Sequence, residues 1–300
     1  MPFITDLETA LTCHGRFSLN YRDPHAPGKP ITLNGYRAAG ATEKSPVVIV
    51  QHGVLRNGDE YRDFWVNAAE LHGLLVVAPT FAEADWPDVH AYNNGNLQCE
   101  EHPQGVTDPE ASSYACVQRL VRQLAASRAV DADQIYFFGH SAGSQFVHRY
   151  LALCGPSGFA GVVAANAGWY TLPDLSLPFP QGWAKTRLSL SDLARMFDYP
   201  LHIFAGCNDN DPQAPHLPNE PAARLQGPTR FDRAHYFHEY ARRQAESLGV
   251  PYRWTLHTIP EVAHDGRLMS HVAAGYWFGA GIPQASELRR LAQGSASFTA

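Results

Sequence analysis

Short continuous apolar runs alternate along the chain with segments whose apolar positions recur at helical spacing. Six runs read as strands: Val47–His52, Leu74–Phe81, Ile135–Gly139, Gly161–Ala165, Leu201–Gly206 and Tyr252–Ile259. Several are apolar throughout rather than alternating, the pattern of a parallel strand covered on both faces. Two more polar runs, Phe17–Tyr21 and Ile31–Arg37, predict an antiparallel entry edge. The alternation therefore predicts an α/β protein: a mostly parallel central sheet of about eight strands with helices on both faces.

Between the strands, Tyr61, Phe64, Trp65, Ala68 and Leu71 mark one helix face, which Gly73 can end. Val117, Leu120, Val121 and Leu124 mark a second, opened by Thr107-Asp108-Pro109-Glu110. Phe231, Ala234, Phe237, Ala241, Ala245 and Leu248 mark a third, stopped by Gly249. All three read as core faces covering the sheet. Pro173, Pro178 and Pro180 break the alternation between Tyr170 and Tyr199. That stretch, at about 170–200, predicts a lid-like insertion over the C-terminal edge of the sheet, in a chain otherwise read as one domain over residues 1–300.

With 300 residues, 45% of them hydrophobic and 17% charged, the chain can bury a large core, which excludes a disordered or nucleic-acid-coating protein. A net charge of -6 without any Lys/Arg run argues against a polyanion partner. No stretch approaches the roughly 20 apolar residues of a membrane-spanning helix. Asp6 and Glu8 stand where a signal peptide would be apolar, so the expected location is cytoplasmic. Cys13, Cys99, Cys116, Cys154 and Cys207 are odd in number and scattered, as isolated reduced thiols are.

The candidate chemistry begins at the run from Ile135, which delivers Gly139-His140-Ser141-Ala142-Gly143 from an apolar strand into a helical pattern through Phe146, Val147 and Tyr150. A serine on a strained strand-to-helix turn needs small neighbours where backbones crowd, and the helix N-terminus beneath it favours negative charge. Ser141 is the candidate nucleophile. An earlier strand ends in His52-Gly53-Val54, so the amides of Val54 and Ala142 are the candidate oxyanion donors, with His52 read as a packed turn residue. The strand from Leu201 runs into Gly206-Cys207-Asn208-Asp209-Asn210-Asp211, where Asp209 and Asp211 compete as the orienting acid. Asp209, in the turn itself, is favoured, because Asp211 precedes Pro212 and can simply shape the loop. His264, in the loop after the last strand, is the candidate base, and the chain order of serine, acid and histidine suits that assignment. His257, inside a strand, and His235 and His238, on a helix face, read as structural. Cys99 and His102 with His90 nearby lack the second ligand pair of a zinc site, so no metal is expected.

His52-Gly53-Val54, Gly139-x-Ser141-x-Gly143, Gly206-x-x-Asp209 and His264-Asp265-Gly266 together resemble the α/β-hydrolase superfamily over roughly Pro46 to Gly279. Arg56-Asn57, the segment Tyr61 to Trp65 and the His264-Asp265-Gly266 motif are similar to those of poly(3-hydroxybutyrate) depolymerase-like esterases, a group that resembles the poly(aspartic acid) hydrolases as well. The resemblance implies the α/β-hydrolase fold and acyl transfer through an acyl-enzyme, with no cofactor required. The expected function is hydrolysis of small-molecule or oligomeric carboxylic esters; amide hydrolysis, or a catalytically silent binding protein of the same fold, are the rivals. Arg56, Trp169, Tyr170, Trp183 and Arg267 are the candidate substrate contacts, the arginines for carboxylates and the aromatics for an acyl or leaving group.

Overall fold

The computed structural model describes residues 6–156 and 158–296. Within them, strands β1 (Gly15–Tyr21), β2 (Ile31–Arg37), β3 (Val47–Gln51), β4 (Leu75–Thr80), β5 (Ile135–His140), β6 (Gly161–Ala165), β7 (Leu201–Gly206) and β8 (Thr255–Ile259) form one sheet in the order β1-β2-β4-β3-β5-β6-β7-β8. The pairings β1/β2 and β2/β4 are antiparallel and all others parallel, so the sequence-derived entry edge and parallel core are both present. The helices are α1 (Leu7–Thr12), α2 (Gly58–Asp63), α3 (Val66–His72), α4 (Asp88–Ala91), α5 (Ser113–Ala126), α6 (Ala142–Cys154), α7 (Leu190–Asp198), α8 (Pro221–Leu225), α9 (Arg230–Leu248), α10 (Gly266–Phe278) and α11 (Ala285–Ala296). This is the α/β-hydrolase fold.

The apolar runs are continuous because each central strand is buried on both sides. Val47 and Ile49 of β3 enter one core cluster with Phe137, Val162 and Ile203, while Val48 and Val50 enter the other with Phe138, Val163 and Phe204. Each such side chain contributes roughly 1.5–3 kcal/mol by leaving water, so β3 to β7 carry much of the core. Because these strands are parallel, the loops after them gather at one edge of the sheet, where ligand sites of open α/β sheets form.

Two helix readings are corrected. The stripe from Tyr61 to Leu71 is not one helix but α2 and α3, broken at Phe64–Trp65, where the Trp65 amide donates back to Arg62 O at 3.1 Å. The break turns Trp65 and Ala69 inward and leaves Leu71 77% exposed, outside the core face assigned to it. Gly73 does end α3, in the left-handed region at φ 66°. Asp108-Pro109 opens only a short 3-10 turn, and α5 starts later, where the Ser112 hydroxyl accepts from the Ala115 amide at 3.1 Å. Helix α9 follows its expected stripe, with an addition: Arg230 and Arg233 are buried on the same face. Residues 170–188 follow the flank of α6, held by the Thr171 amide donating to His148 Nε2 at 3.0 Å and by Arg187 Nη2 donating to Leu153 O at 2.7 Å.

Candidate active site

Strand β5 ends at His140 and α6 begins at Ala142, which leaves Ser141 in the tight turn between them at φ 57° and ψ -119°. A non-glycine residue in that region is strained, and the neighbouring glycines show what keeps it there. A Cβ at Gly143 would stand 2.1 Å from Gln51 O and 2.8 Å from His52 O, and one at Gly139 would stand 2.2 Å from Gly143 O. The small residues let α6 press against the end of β3. The Ser141 amide donates to Ala165 O at 3.0 Å, tying the turn to β6.

Ser141 Oγ lies 3.0 Å from His264 Nε2, and His264 Nδ1 lies 2.7 Å from Asp209 Oδ2. A carboxylate can only accept, so Nδ1 carries the proton and Nε2 is left to accept from the serine hydroxyl. Asp209 is buried after β7, whereas Asp211 is exposed and spends Oδ1 on the Gln213 amide at 2.8 Å. The loop bearing His264 is fixed on both sides. Asp265 accepts from the Arg267 and Leu268 amides at the start of α10, and Ala263 O accepts from Asn166 Nδ2 at 2.9 Å. Asn166 Oδ1 in turn accepts from the Gly206 amide at 2.8 Å, joining the ends of β6 and β7 to the histidine loop.

The Val54 and Ala142 amides donate to no carbonyl or side chain among the described residues. Gly53 lies close enough to the serine that an added Cβ would be 3.7 Å from Ser141 Cβ. His52 is fully buried, accepts at Nε2 from the Phe81 amide at 3.1 Å and donates from Nδ1 to Gly53 O at 2.8 Å. Burial pushes its imidazole down to about 3, so it is neutral and shapes the loop.

The other candidate contacts divide. Arg56 is spent on the protein itself: Nη1 donates to Phe81 O at 2.7 Å, Nη2 to Asp88 O at 2.6 Å, and the guanidinium covers the Tyr92 ring at 4.5 Å. Arg267 Nη2 donates to Leu291 O of α11 at 2.9 Å. Tyr170 is buried and stacked on Phe237, and Trp183 is buried beside Phe179. Trp169 is half-buried, its ring over the Arg149 guanidinium at 5.5 Å. Among the described residues no group of three or more His, Cys, Asp or Glu side chains is placed to hold a metal. His90 and His102 stack on one another, with His102 Nε2 3.2 Å from Asn96 Oδ1.

Sequence reasoning missed three neighbours of this cluster. Arg230 Nη1 reaches Asp209 Oδ1 at 3.3 Å, both side chains being almost fully buried. The His140 ring lies 4.6 Å from that of His264, and its Nδ1 meets the Tyr61 hydroxyl at 2.7 Å. Burial, helped by the charges of His264 and Arg230, holds His140 well below the usual imidazole range, so it stays neutral. Asn166 is the third.

No family model and no curated protein sequence matches the chain. Solved structures do. LpqC, a poly(3-hydroxybutyrate) depolymerase from Bordetella parapertussis, is 44% identical with a TM-score of 0.89 over 95% of this chain and 97% of its own. The chain belongs to the α/β-hydrolase superfamily. Within that superfamily, poly(aspartic acid) hydrolase-1 from Sphingomonas sp. KT-1 is 32% identical with a TM-score of 0.81, over 87% of this chain and 97% of its own. This α/β-hydrolase therefore stands beside the depolymerase-like esterases and the poly(aspartic acid) hydrolases. FphF, a fluorophosphonate-binding serine hydrolase from Staphylococcus aureus, shares only the fold, at 17% identity and a TM-score of 0.53 over 87% of this chain and 95% of its own.

Proposed function

We propose that this α/β-hydrolase is a serine hydrolase of carboxylic esters, acting through an acyl-enzyme on Ser141. The observation that carries the reading is the unbroken chain from Ser141 Oγ to His264 at 3.0 Å and from His264 to Asp209 at 2.7 Å, set on a strained elbow. His264 takes the serine proton as Oγ attacks the carbonyl carbon, and Asp209 keeps Nδ1 protonated and stabilises the imidazolium. The oxygen that becomes negative is received by the Val54 and Ala142 amides, the second at the N-terminus of α6. His264 then returns the proton to the leaving alkoxide, and water, activated by the same imidazole, releases the acid.

The ester preference is supported by the 44% identity to a poly(3-hydroxybutyrate) depolymerase, and an oligomeric or small hydroxyalkanoate ester is the substrate we favour. Trp169, half-buried on the segment after β6, is the contact we assign to the acyl group. Five unpaired cysteines suit a reducing, cytoplasmic setting, and no helix among the described residues is long and apolar enough to cross a membrane. The 32% identity to a poly(aspartic acid) hydrolase supports amide hydrolysis as the second reading. Comparing kcat/KM for matched ester and amide substrates, with hydroxybutyrate oligomers and poly(aspartic acid) as polymers, separates them. The ester reading expects esters to be cleaved far faster; robust polyamide cleavage with negligible turnover of simple esters reverses it.

A further inference from the structure

We propose that Arg230 is a positioning residue of the triad, fixing the Asp209 carboxylate with one oxygen aimed at His264 Nδ1 and offsetting part of its charge. The proposal rests on the reading of Ser141, His264 and Asp209 as a catalytic triad. Asp209 has two buried oxygens with different partners: Oδ2 meets His264 Nδ1 at 2.7 Å, and Oδ1 meets Arg230 Nη1 at 3.3 Å. Arg230 begins α9, and its Nη2 donates to Pro215 O at 2.9 Å while Nε has no acceptor among the described residues. Asp209 is therefore the only carboxylate in ion-pair contact with it among the described residues.

Stability gives little reason for such a pair. Desolvating two ions costs about as much as their attraction returns, and apolar residues of similar volume do as well or better. The adjacent Arg233, also buried, is held by the carbonyls of Gly168 at 2.6 Å and Gly227 at 2.9 Å rather than by Asp209. From the other side, His264 faces His140, which is neutral, with the Tyr61 hydroxyl behind it. The neighbouring Asp265 turns its carboxylate to the α10 amides. Arg230 is thus the cation nearest the catalytic carboxylate, and it does two things. It holds the carboxylate in one orientation, with an oxygen aimed at Nδ1. It also takes up part of the negative charge that would otherwise hold a proton on the imidazole, the form in which His264 cannot accept from Ser141. At an effective dielectric of about 20, a unit charge one carboxylate away is worth about one pH unit.

The test is the pH profile of kcat/KM on a p-nitrophenyl ester for wild type, Arg230→Gln, Arg230→Lys and Ser141→Ala. The expected result is an acidic limb about one pH unit higher in Arg230→Gln, with kcat down tenfold or more and KM within about threefold, and a limb restored toward wild type in Arg230→Lys. An Arg230→Gln limb superimposed on that of wild type overturns the proposal, because a purely structural arginine lowers activity evenly across pH. If Arg230→Gln does not fold, the comparison moves to Arg230→Met, which keeps the apolar length of the side chain and leaves Asp209 in place, read as the rate of fluorophosphonate labelling against pH. There Arg230→Met should have the higher limb, and a limb coincident with that of wild type overturns the proposal. Retained activity in Ser141→Ala sinks the triad reading itself; an inactive Ser141→Ala with coincident limbs sinks only the role of Arg230.

Discussion

Replacing Asp209 by Asn keeps its size and removes one charge, and the hydrogen bonds around it dictate the consequence. The side chain sits between two donors, the His264 Nδ1 proton and the Arg230 guanidinium, and has one oxygen for each. An amide has only one oxygen. Buried Arg230 cannot lose its proton, so it claims that oxygen, and the amide NH2 is turned to His264. Nδ1 must then accept, the ring proton moves to Nε2, and Nε2 can no longer take the proton of Ser141. A triad held in the wrong tautomer loses about 10⁴ in kcat, equivalent to about 5.5 kcal/mol of transition-state stabilisation. The same change leaves a buried guanidinium without its anion, which costs about 3–5 kcal/mol of stability. The assay is kcat on a p-nitrophenyl ester, with circular dichroism and thermal melting as folding controls and Asp211→Asn alongside. Asp211 is exposed and only caps the Gln213 amide, so its variant should stay within about twofold of wild type. An Asp209→Asn enzyme within tenfold of wild type, or a larger loss from Asp211→Asn, refutes the reasoning.

Acid stability should track the buried histidines. His52, His140 and His148 are all held neutral by burial, so only the unfolded chain takes up their protons, and stability is intact above about pH 6.5 and falls as pH drops below it. Three such protons give a slope of about 4 kcal/mol per pH unit, and His52→Gln should flatten urea-derived stability curves by about 1.4; an unchanged slope means that His52 is not held neutral. Arg56→Met removes the bonds to Phe81 O and Asp88 O that brace the Val54 loop, and should lower kcat tenfold or more with little change in KM. A rise in KM alone would make Arg56 a substrate contact instead.

The readable part of this protein lay where local pattern and three-dimensional role coincide. Strands β3 to β7 are buried on both faces, so their apolar runs stood out, and Ser141, Asp209 and His264 each lie in the loop after a strand. The rest was not legible because it depends on contacts between distant segments. Arg230 lies just outside the apolar stripe of α9, and nothing local pairs it with Asp209, 21 positions away. Tyr61 did read as a core residue, but nothing local shows that its hydroxyl meets His140, 79 positions away. Asn166 reads as an ordinary turn residue after β6, and its amide joins three loops only once β7 and the His264 loop are in place. Leu71 failed for the opposite reason: the spacing was helical, but a break at Trp65 rotated it out of the core.

The most direct test of the central claim is labelling with a fluorophosphonate and peptide mapping of the adduct. A serine whose hydroxyl faces an accepting imidazole at 3.0 Å is far more nucleophilic than any other hydroxyl in the chain. The triad predicts one stoichiometric adduct on the peptide containing Ser141, absent from folded Ser141→Ala and strongly slowed in His264→Ala. An unreactive wild-type protein, or an adduct on a different serine, contradicts it.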